Sequence, residues 1–366
     1  MRATGRRRAM VVSLCAGLLF AGCSTPIPSV PPLRVLTLPG VRQVTAFTDL
    51  ERRTGSRHLD GLTTYTSALP PHDQRILFTL GDELDDIGVE TTDVIERPSC
   101  GVPYAVTSDG HWVVCRQFGN IALLDLATDS GHPHPSTQVL TYQDGDDPRS
   151  PTWGPDDRHL AVLSRMDGGC SIAIYRAMAD YSAVVLTAVL ALTSALLTTP
   201  TGAACDATGL RWSPDGRWFA FASGFQGGGL YVLSLQTLWP QILAAERLHE
   251  ALHRQLGVDQ VTKLPVKSNA SLAWQHGSRP TLTFVGFPGD HLQQIDITTG
   301  EQATLFKTDE TGLFGISWTP DDRHLVFGLG RGGEPLVTPP PDQLYVYTPP
   351  ALLPAATASP VVTVAP

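Results

Sequence analysis

The chain is poor in charge, and poorest in positive charge. Asp, Glu, Lys and Arg make up 17% of its 366 residues, and 26 Lys and Arg stand against 35 Asp and Glu, for a formal net charge of −9. A nucleic-acid binder needs a basic stripe to offset phosphates, so this composition argues against one. No Gly-x-Ser-x-Gly elbow is present, which removes the serine-hydrolase nucleophile turn. No Gly-rich loop ending in Lys-Ser or Lys-Thr follows a strand pattern, so nucleotide phosphates have no cradle. Among 6 cysteines there is no Cys-x-x-Cys spacing, hence no metal ribbon. Long hydrophobic runs are missing too: the most apolar internal stretch, Ser182–Leu197, falls short of the ~20 residues a spanning helix needs and reads as one or two buried strands or a packed helix.

What the chain does have is glycine and proline, 34 and 30 residues, punctuating a sequence that is 42% hydrophobic. The punctuation is a phrase that returns: Trp153-Gly154-Pro155-Asp156-Asp157-Arg158, Trp212-Ser213-Pro214-Asp215-Gly216-Arg217 and Trp318-Thr319-Pro320-Asp321-Asp322-Arg323. Weaker copies lie at Pro71–Phe78, Ser108–Val114 and Trp274-Gln275-His276-Gly277, so six units centre near Asp73, Asp109, Asp156, Asp215, His276 and Asp321. Each copy sits between short apolar runs, as in Trp218-Phe219-Ala220-Phe221. Proline presets φ, Asp followed by Asp or Gly takes the left-handed corner, and the run after it resumes as a second strand. Trp closes the first strand and offers a large face to a neighbouring sheet. The spacing, about forty to sixty residues, is that of propeller blades. An apolar segment before the first unit, within 34–38 or 43–47, is free to supply the outer strand of the last blade and remove an exposed edge.

This phrase, followed by an apolar run, a Gly-containing loop and a strand such as Leu230-Tyr231-Val232-Leu233, resembles the WD-like propeller repeat of the TolB family. Similar repeats form the propellers of prolyl-oligopeptidase-type enzymes. The resemblance spans roughly 60–348 and implies an all-β, six-bladed propeller. It says little of function, and nothing like the separate N-terminal domain of that family is visible.

The N-terminus supplies an address. Arg2, Arg6, Arg7 and Arg8 precede an apolar stretch, Ala9–Phe20, of signal-peptide length. It ends in Leu19-Phe20-Ala21-Gly22-Cys23, which looks like a lipobox with Cys23 as the lipidated residue. More than one acyl chain there gives stable membrane anchoring. Export leaves Cys100, Cys115, Cys170 and Cys205 in an oxidising compartment, where three pairings are open. Position along the repeats favours Cys100 with Cys115 and Cys170 with Cys205.

The sharpest chemical motif interrupts the repeat. Residues 239–256 read as an amphipathic helix with Pro240 in its first turn and a stripe of Ala245, Leu248, Leu252 and Leu256. Beside the stripe lies His249-Glu250-Ala251-Leu252-His253, a literal His-Glu-x-x-His, with Glu246 one turn earlier. On a helix, two such imidazoles share a face and can hold zinc. The alternative is the ordinary polar side of an accessory helix, and too little chain remains here for a zincin sheet and cleft.

The expected organisation is therefore a signal peptide at 1–22, a Pro/Ser tether at 23–33, a propeller at 34–348 with insertions near 179–200 and 236–262, and a disordered Pro/Ala-rich tail at 349–366. The expected function is a lipid-anchored, extracytoplasmic scaffold at the cell envelope. It binds a protein or small ligand at one face, with no catalytic residues and no cofactor. The competing expectation is a metal-dependent hydrolase, using the His249/His253 helix or an acidic central channel.

Overall fold

The computed structural model describes residues 38–45, 59–80, 83–91, 93–127, 137–140, 148–166, 169–192, 207–223, 228–256, 260–309, 312–330 and 343–350. The expected signal peptide and tether, Cys23, Cys205 and the tail beyond residue 350 lie outside the described residues.

Antiparallel strands follow one another outward from a common centre. After a short strand β1 (Val41–Gln43), the first sheet runs β2 (Leu59–Thr66), β3 (Gln74–Leu80), β4 (Glu83–Gly88), β5 (Val94–Arg97). The second runs β6 (Val102–Val106), β7 (Trp112–Gln117), β8 (Asn120–Asp125), β9 (Thr137–Leu140). In the third, β10 (Arg149–Trp153), β11 (His159–Met166), β12 (Gly169–Ala177) and β13 (Val184–Leu192) are joined at the outer edge by β17 (Leu252–Leu256). A seven-stranded sheet follows: β14 (Ala207–Trp212), β15 (Trp218–Ser223), β16 (Gly228–Ser234), β18 (Val261–Trp274), β19 (Thr281–Gly286), β20 (His291–Asp296), β21 (Gln302–Lys307). Its long β18 serves twice, pairing with β16 through Val261–Leu264 and with β19 through Leu272–Trp274. The last sheet is β22 (Leu313–Trp318), β23 (Leu325–Leu329), β24 (Gln343–Tyr347) and then β1.

The first strands form a closed circuit: β2 lies on β6, β6 on β10, β10 on β14, β14 on β18, β18 on β22, and β22 again on β2. This is a β-propeller. Its closing strand comes from the N-terminal side, because β1 pairs antiparallel with β24, Val41 opposite Tyr347 and Gln43 opposite Tyr345.

Two side-chain devices hold sheet to sheet. The repeated Trp ends β10, β14, β18 and β22 and is buried in each. Each ring enters the core of the sheet before it: Trp153 with Val114 and Ile121, Trp212 with Ile172 and Ile174, Trp274 with Ala220 and Val232, Trp318 with Val285 and Leu292. Short hydroxyl side chains do the rest. Ser150 and Thr152 accept from the backbone N–H of Gly209 and Trp212 at 2.9 and 3.3 Å, Ser271 from Gly315 at 3.1 Å, and Ser317 from Thr64 at 3.1 Å. Buried amides at the centre thus find partners in the neighbouring sheet.

The turn after each Trp explains its residues. Asp156, Asp215 and Asp321 each accept from a backbone N–H two residues on, at 3.1 Å. Asp215 and Asp321 also accept from the Ser213 and Thr319 hydroxyls at 2.6 Å. The next residue is left-handed: Asp157 at φ 56°, Gly216 at 74°, Asp322 at 57°. An Asp there carries strain of about 1–2 kcal/mol. It is offset because the carboxylate reaches the preceding turn: Asp157 accepts from Ser108 N–H at 2.7 Å and Asp322 from His276 N–H at 2.7 Å. At Gly216 a Cβ would stand 3.1 Å from the Pro155 ring.

Two expected insertions come out differently. Within 179–200, Val184–Leu192 is the regular fourth strand β13 and not inserted chain, in keeping with the buried-strand reading of that apolar segment; it is apolar because β12 and β17 flank it and the main core lies on one face. The helix expected over 239–256 is α1 (Trp239–Arg247) alone. Leu248 caps it, His249 turns left-handed at φ 57°, and the N–H groups of His249 and Glu250 return to the carbonyls of Glu246 and Ala245 at 2.9 and 3.1 Å. That is a Schellman stop. The chain then pairs in parallel with β13, Ala188 opposite Leu252 through Leu192 opposite Leu256, covering a sheet edge.

Candidate functional site

The His249-Glu250-x-x-His253 reading falls with the helix. His249 is the residue that ends α1, His253 lies in β17, and both are exposed. The expected stripe is divided likewise: Leu256 is buried in β17, whereas Leu248 is 70% exposed. Among the described residues, no group of three or more His, Cys, Asp or Glu side chains is arranged to hold a metal ion. Nor is any helix among them long and apolar enough to cross a membrane.

Glu246, the third candidate ligand, has another task. Its Oε2 lies 3.0 Å from His159 Nε2 and its Oε1 3.0 Å from Arg176 Nε, so it pins α1 to the third sheet. His159 is buried, with Nδ1 2.6 Å from Asp156 Oδ2 and its ring edge-on to Trp239 at 4.9 Å. Burial disfavours the imidazolium, but hydrogen bonds and charge from Asp156 and then Glu246 outweigh it, and the His159 pKa is raised. Burial likewise opposes the Asp156 carboxylate, yet His159 and two backbone N–H groups bring its pKa down to about 2.

A folded pKa above the unfolded value of 6.5 means that the His159 contribution is complete below that value and is lost as pH rises through the raised one. Urea midpoints measured from pH 6 to pH 9 should therefore fall more for the wild type than for His159→Gln. Parallel curves would show that His159 does not titrate against these carboxylates.

Cys100 and Cys115 are joined by a disulfide, with their Cα atoms 5.7 Å apart. Cys170 is disulfide-bonded as well.

The site with room for a ligand is at the centre. A cavity of about 370 Å³ is lined by the first strands of every unit and by the turns that follow them, with Leu62, Tyr104, Trp153, Trp212, Trp274 and Trp318 among its walls. The repeat residues Pro155, Pro214 and Pro320 also face it, while Asp156, Asp215 and Asp321 remain in their turns. The lining is not the acidic channel of the competing hydrolase expectation. Its lining has a single carboxylate, Asp157, held by Ser108, and a single guanidinium, Arg211.

Most polar side chains of the lining are engaged in the fold. Thr64 Oγ1 lies 2.9 Å from Ser317 Oγ, Thr107 donates to Asp109 at 2.6 Å, and His276 Nδ1 meets Asp322 at 3.1 Å. Arg211 differs. Its Nη1 donates at 2.9 Å to the carbonyl of Leu210, its own neighbour, and no described carboxylate forms an ion pair with it. Burial pulls its pKa below the ordinary guanidinium value, opposed in part by Tyr104. Sequence reasoning passed over Arg211. The signal is the residue before each repeated Trp: Thr152, Arg211, Ala273 and Ser317.

No family model matches the chain, and no curated protein matches it. Among solved structures it is similar to a gluconolactonase from Xanthomonas campestris, at 13% identity over 84% of this chain and 95% of that one, with a TM-score of 0.50. It is also similar to TolB from Acinetobacter baumannii, at 15% identity over 82% and 67% of the two chains and a TM-score of 0.45. An oligogalacturonate lyase from Vibrio parahaemolyticus matches at 8% identity over 85% and 94%, with a TM-score of 0.48. At these identities what is shared is the fold.

Proposed function

We propose that the protein is a lipid-anchored, extracytoplasmic six-bladed propeller that binds a ligand in its central cavity and releases it unchanged. The carrying observation is the cavity itself. It is enclosed by six consecutive first strands, its size falls in the small-molecule range of roughly 300–1,000 Å³, and most of its polar lining is tied into the fold. Aromatic walls around one cation make a binding surface. The gluconolactonase likeness is one of fold and brings no activity to this chain.

The address rests on Ala21-Gly22-Cys23 after the apolar run Ala9–Phe20. The Cys100–Cys115 disulfide suits an oxidising compartment. Cys23→Ser is expected to move the protein from the membrane to the soluble fraction or to block its maturation. A mutant that fractionates with membranes and is cleaved as the wild type is overturns the anchor. For the cavity, a compound that raises the melting temperature with the logarithm of its concentration above its Kd should be recovered intact after long incubation. A ligand consumed by the protein overturns the non-catalytic reading.

A further inference from the structure

We propose that the cavity seats the carboxylate of a small organic acid on Arg211, with the apolar body of the acid against the tryptophan walls. The proposal deepens the binding-propeller reading and rests on it. At the position before the repeated Trp, Thr152 and Ser317 bond a neighbouring sheet and Ala273 is inert. Arg211 stands in the same register as a guanidinium in the lining of the cavity, bonded to the carbonyl of Leu210 and paired with no described carboxylate. Half-buried, the guanidinium gives one hydrogen bond, to its own neighbour Leu210, and leaves its remaining donors for an acceptor in the cavity. Those donors find a use when an anion arrives.

The charge count selects the anion. One guanidinium matches one carboxylate, and its planar fork fits that group with two parallel hydrogen bonds. A phosphate ester carries about −1.5 to −2 near neutral pH. The lining holds no second Lys or Arg, and its one carboxylate, Asp157, is held in its own turn by Ser108 and forms no ion pair with Arg211. A dianion would leave buried negative charge unmatched. The lining that Arg211 shares includes the indole and aliphatic side chains of Trp153, Trp212, Trp274, Trp318, Leu62 and Ile316, and most of its hydroxyls are tied into the fold. Such a site takes an acid with an apolar body rather than a polyanion or a sugar phosphate.

Four tryptophans in the walls make intrinsic fluorescence the readout. The purified full chain is titrated at constant ionic strength with benzoate, hexanoate and indole-3-acetate. Each is paired with its neutral amide, and phenyl phosphate stands as the dianion control. At least one acid should bind about tenfold tighter than its amide. Arg211→Met should remove that preference while leaving amide affinity within about twofold, and Arg211→Lys, which keeps the charge but loses the fork, should fall between. Arg211→Met should melt close to the wild-type temperature, since the guanidinium bonds only to its own neighbour Leu210. Three results overturn the assignment: no acid preferred over its amide, phenyl phosphate bound more tightly than every acid, or an Arg211→Met protein that melts lower and binds acids as before. Amide binding without acid preference sinks the carboxylate and leaves the binding propeller standing. Chemical conversion of a bound acid does the reverse.

Discussion

Asp86→Ala is expected to destabilise the protein by roughly 3–5 kcal/mol, the cost of breaking a buried ion pair from one side. Asp86 is fully buried on β4 between two arginines and a phenol. Its Oδ1 accepts from Arg75 Nε at 2.6 Å, and its Oδ2 from Arg97 Nη2 at 2.8 Å and Tyr65 Oη at 2.6 Å. Burial, and then the Asp86 carboxylate, pushes the Tyr65 phenol far above its ordinary pKa. Burial works against the Arg75 guanidinium, but Asp86 more than compensates and its pKa is raised.

Removing the carboxylate leaves Arg97 desolvated and Tyr65 without an acceptor. Arg97 also donates to the carbonyl of Leu126 at 3.1 Å, so the loss spreads to the second sheet. The internal control is Asp93, which meets Arg75 at 3.2 Å with its side chain 52% exposed. Asp93→Ala should cost about 0–1 kcal/mol, as solvent-screened pairs do. Urea denaturation at matched slope separates the two. Equal losses would mean that the cluster is hydrated and that Asp86 is no keystone. Because Tyr65 lines the cavity, loosening this cluster should also broaden ligand binding there.

The repeat was legible because its chemistry is local. Proline, Asp and a left-handed corner build a turn within six residues, and the Trp before it is buried wherever that turn recurs. Closure by an N-terminal strand was legible in kind but not in place: the last unit lacked its fourth strand, yet the strand that fills it is Val41–Gln43, which shares only Gln43 with the segments expected at 34–38 or 43–47. What was hidden is long-range. Residues 248–256 have helical periodicity, but the open edge of β13 offers five backbone pairs, and a Leu-His-Arg-Gln-Leu alternation suits it as well. His159 and Glu246 meet across 87 residues with no motif to join them. Arg211 was visible only by stacking the repeats and looking one place before the Trp, where a charged side chain breaks a series of small ones.

Trp212→Ala should cost roughly 3–5 kcal/mol, in the range for large aromatic truncations in a core. Its ring lies 4.7 Å from Phe219 and 5.1 Å from Trp239, in the cluster that joins the third sheet, the start of the seven-stranded sheet and α1. The cavity left behind would have walls on two sheets and a helix, so collapse to fill it requires all three to move. Trp318→Ala should cost at least as much, because Trp318 Nε1 also donates to Thr283 Oγ1 at 2.9 Å. Phenylalanine separates the two contributions. The indole nitrogen of Trp212 is buried and finds no acceptor in the protein, so Trp212→Phe loses area but no hydrogen bond. Trp318→Phe loses area and a buried bond, worth about 1 kcal/mol more. The order expected from urea midpoints is therefore Trp212→Phe least affected, Trp318→Phe next, and the two alanine variants far below both. Alanine variants with wild-type midpoints would mean that the repeated tryptophan does not hold one sheet to the next.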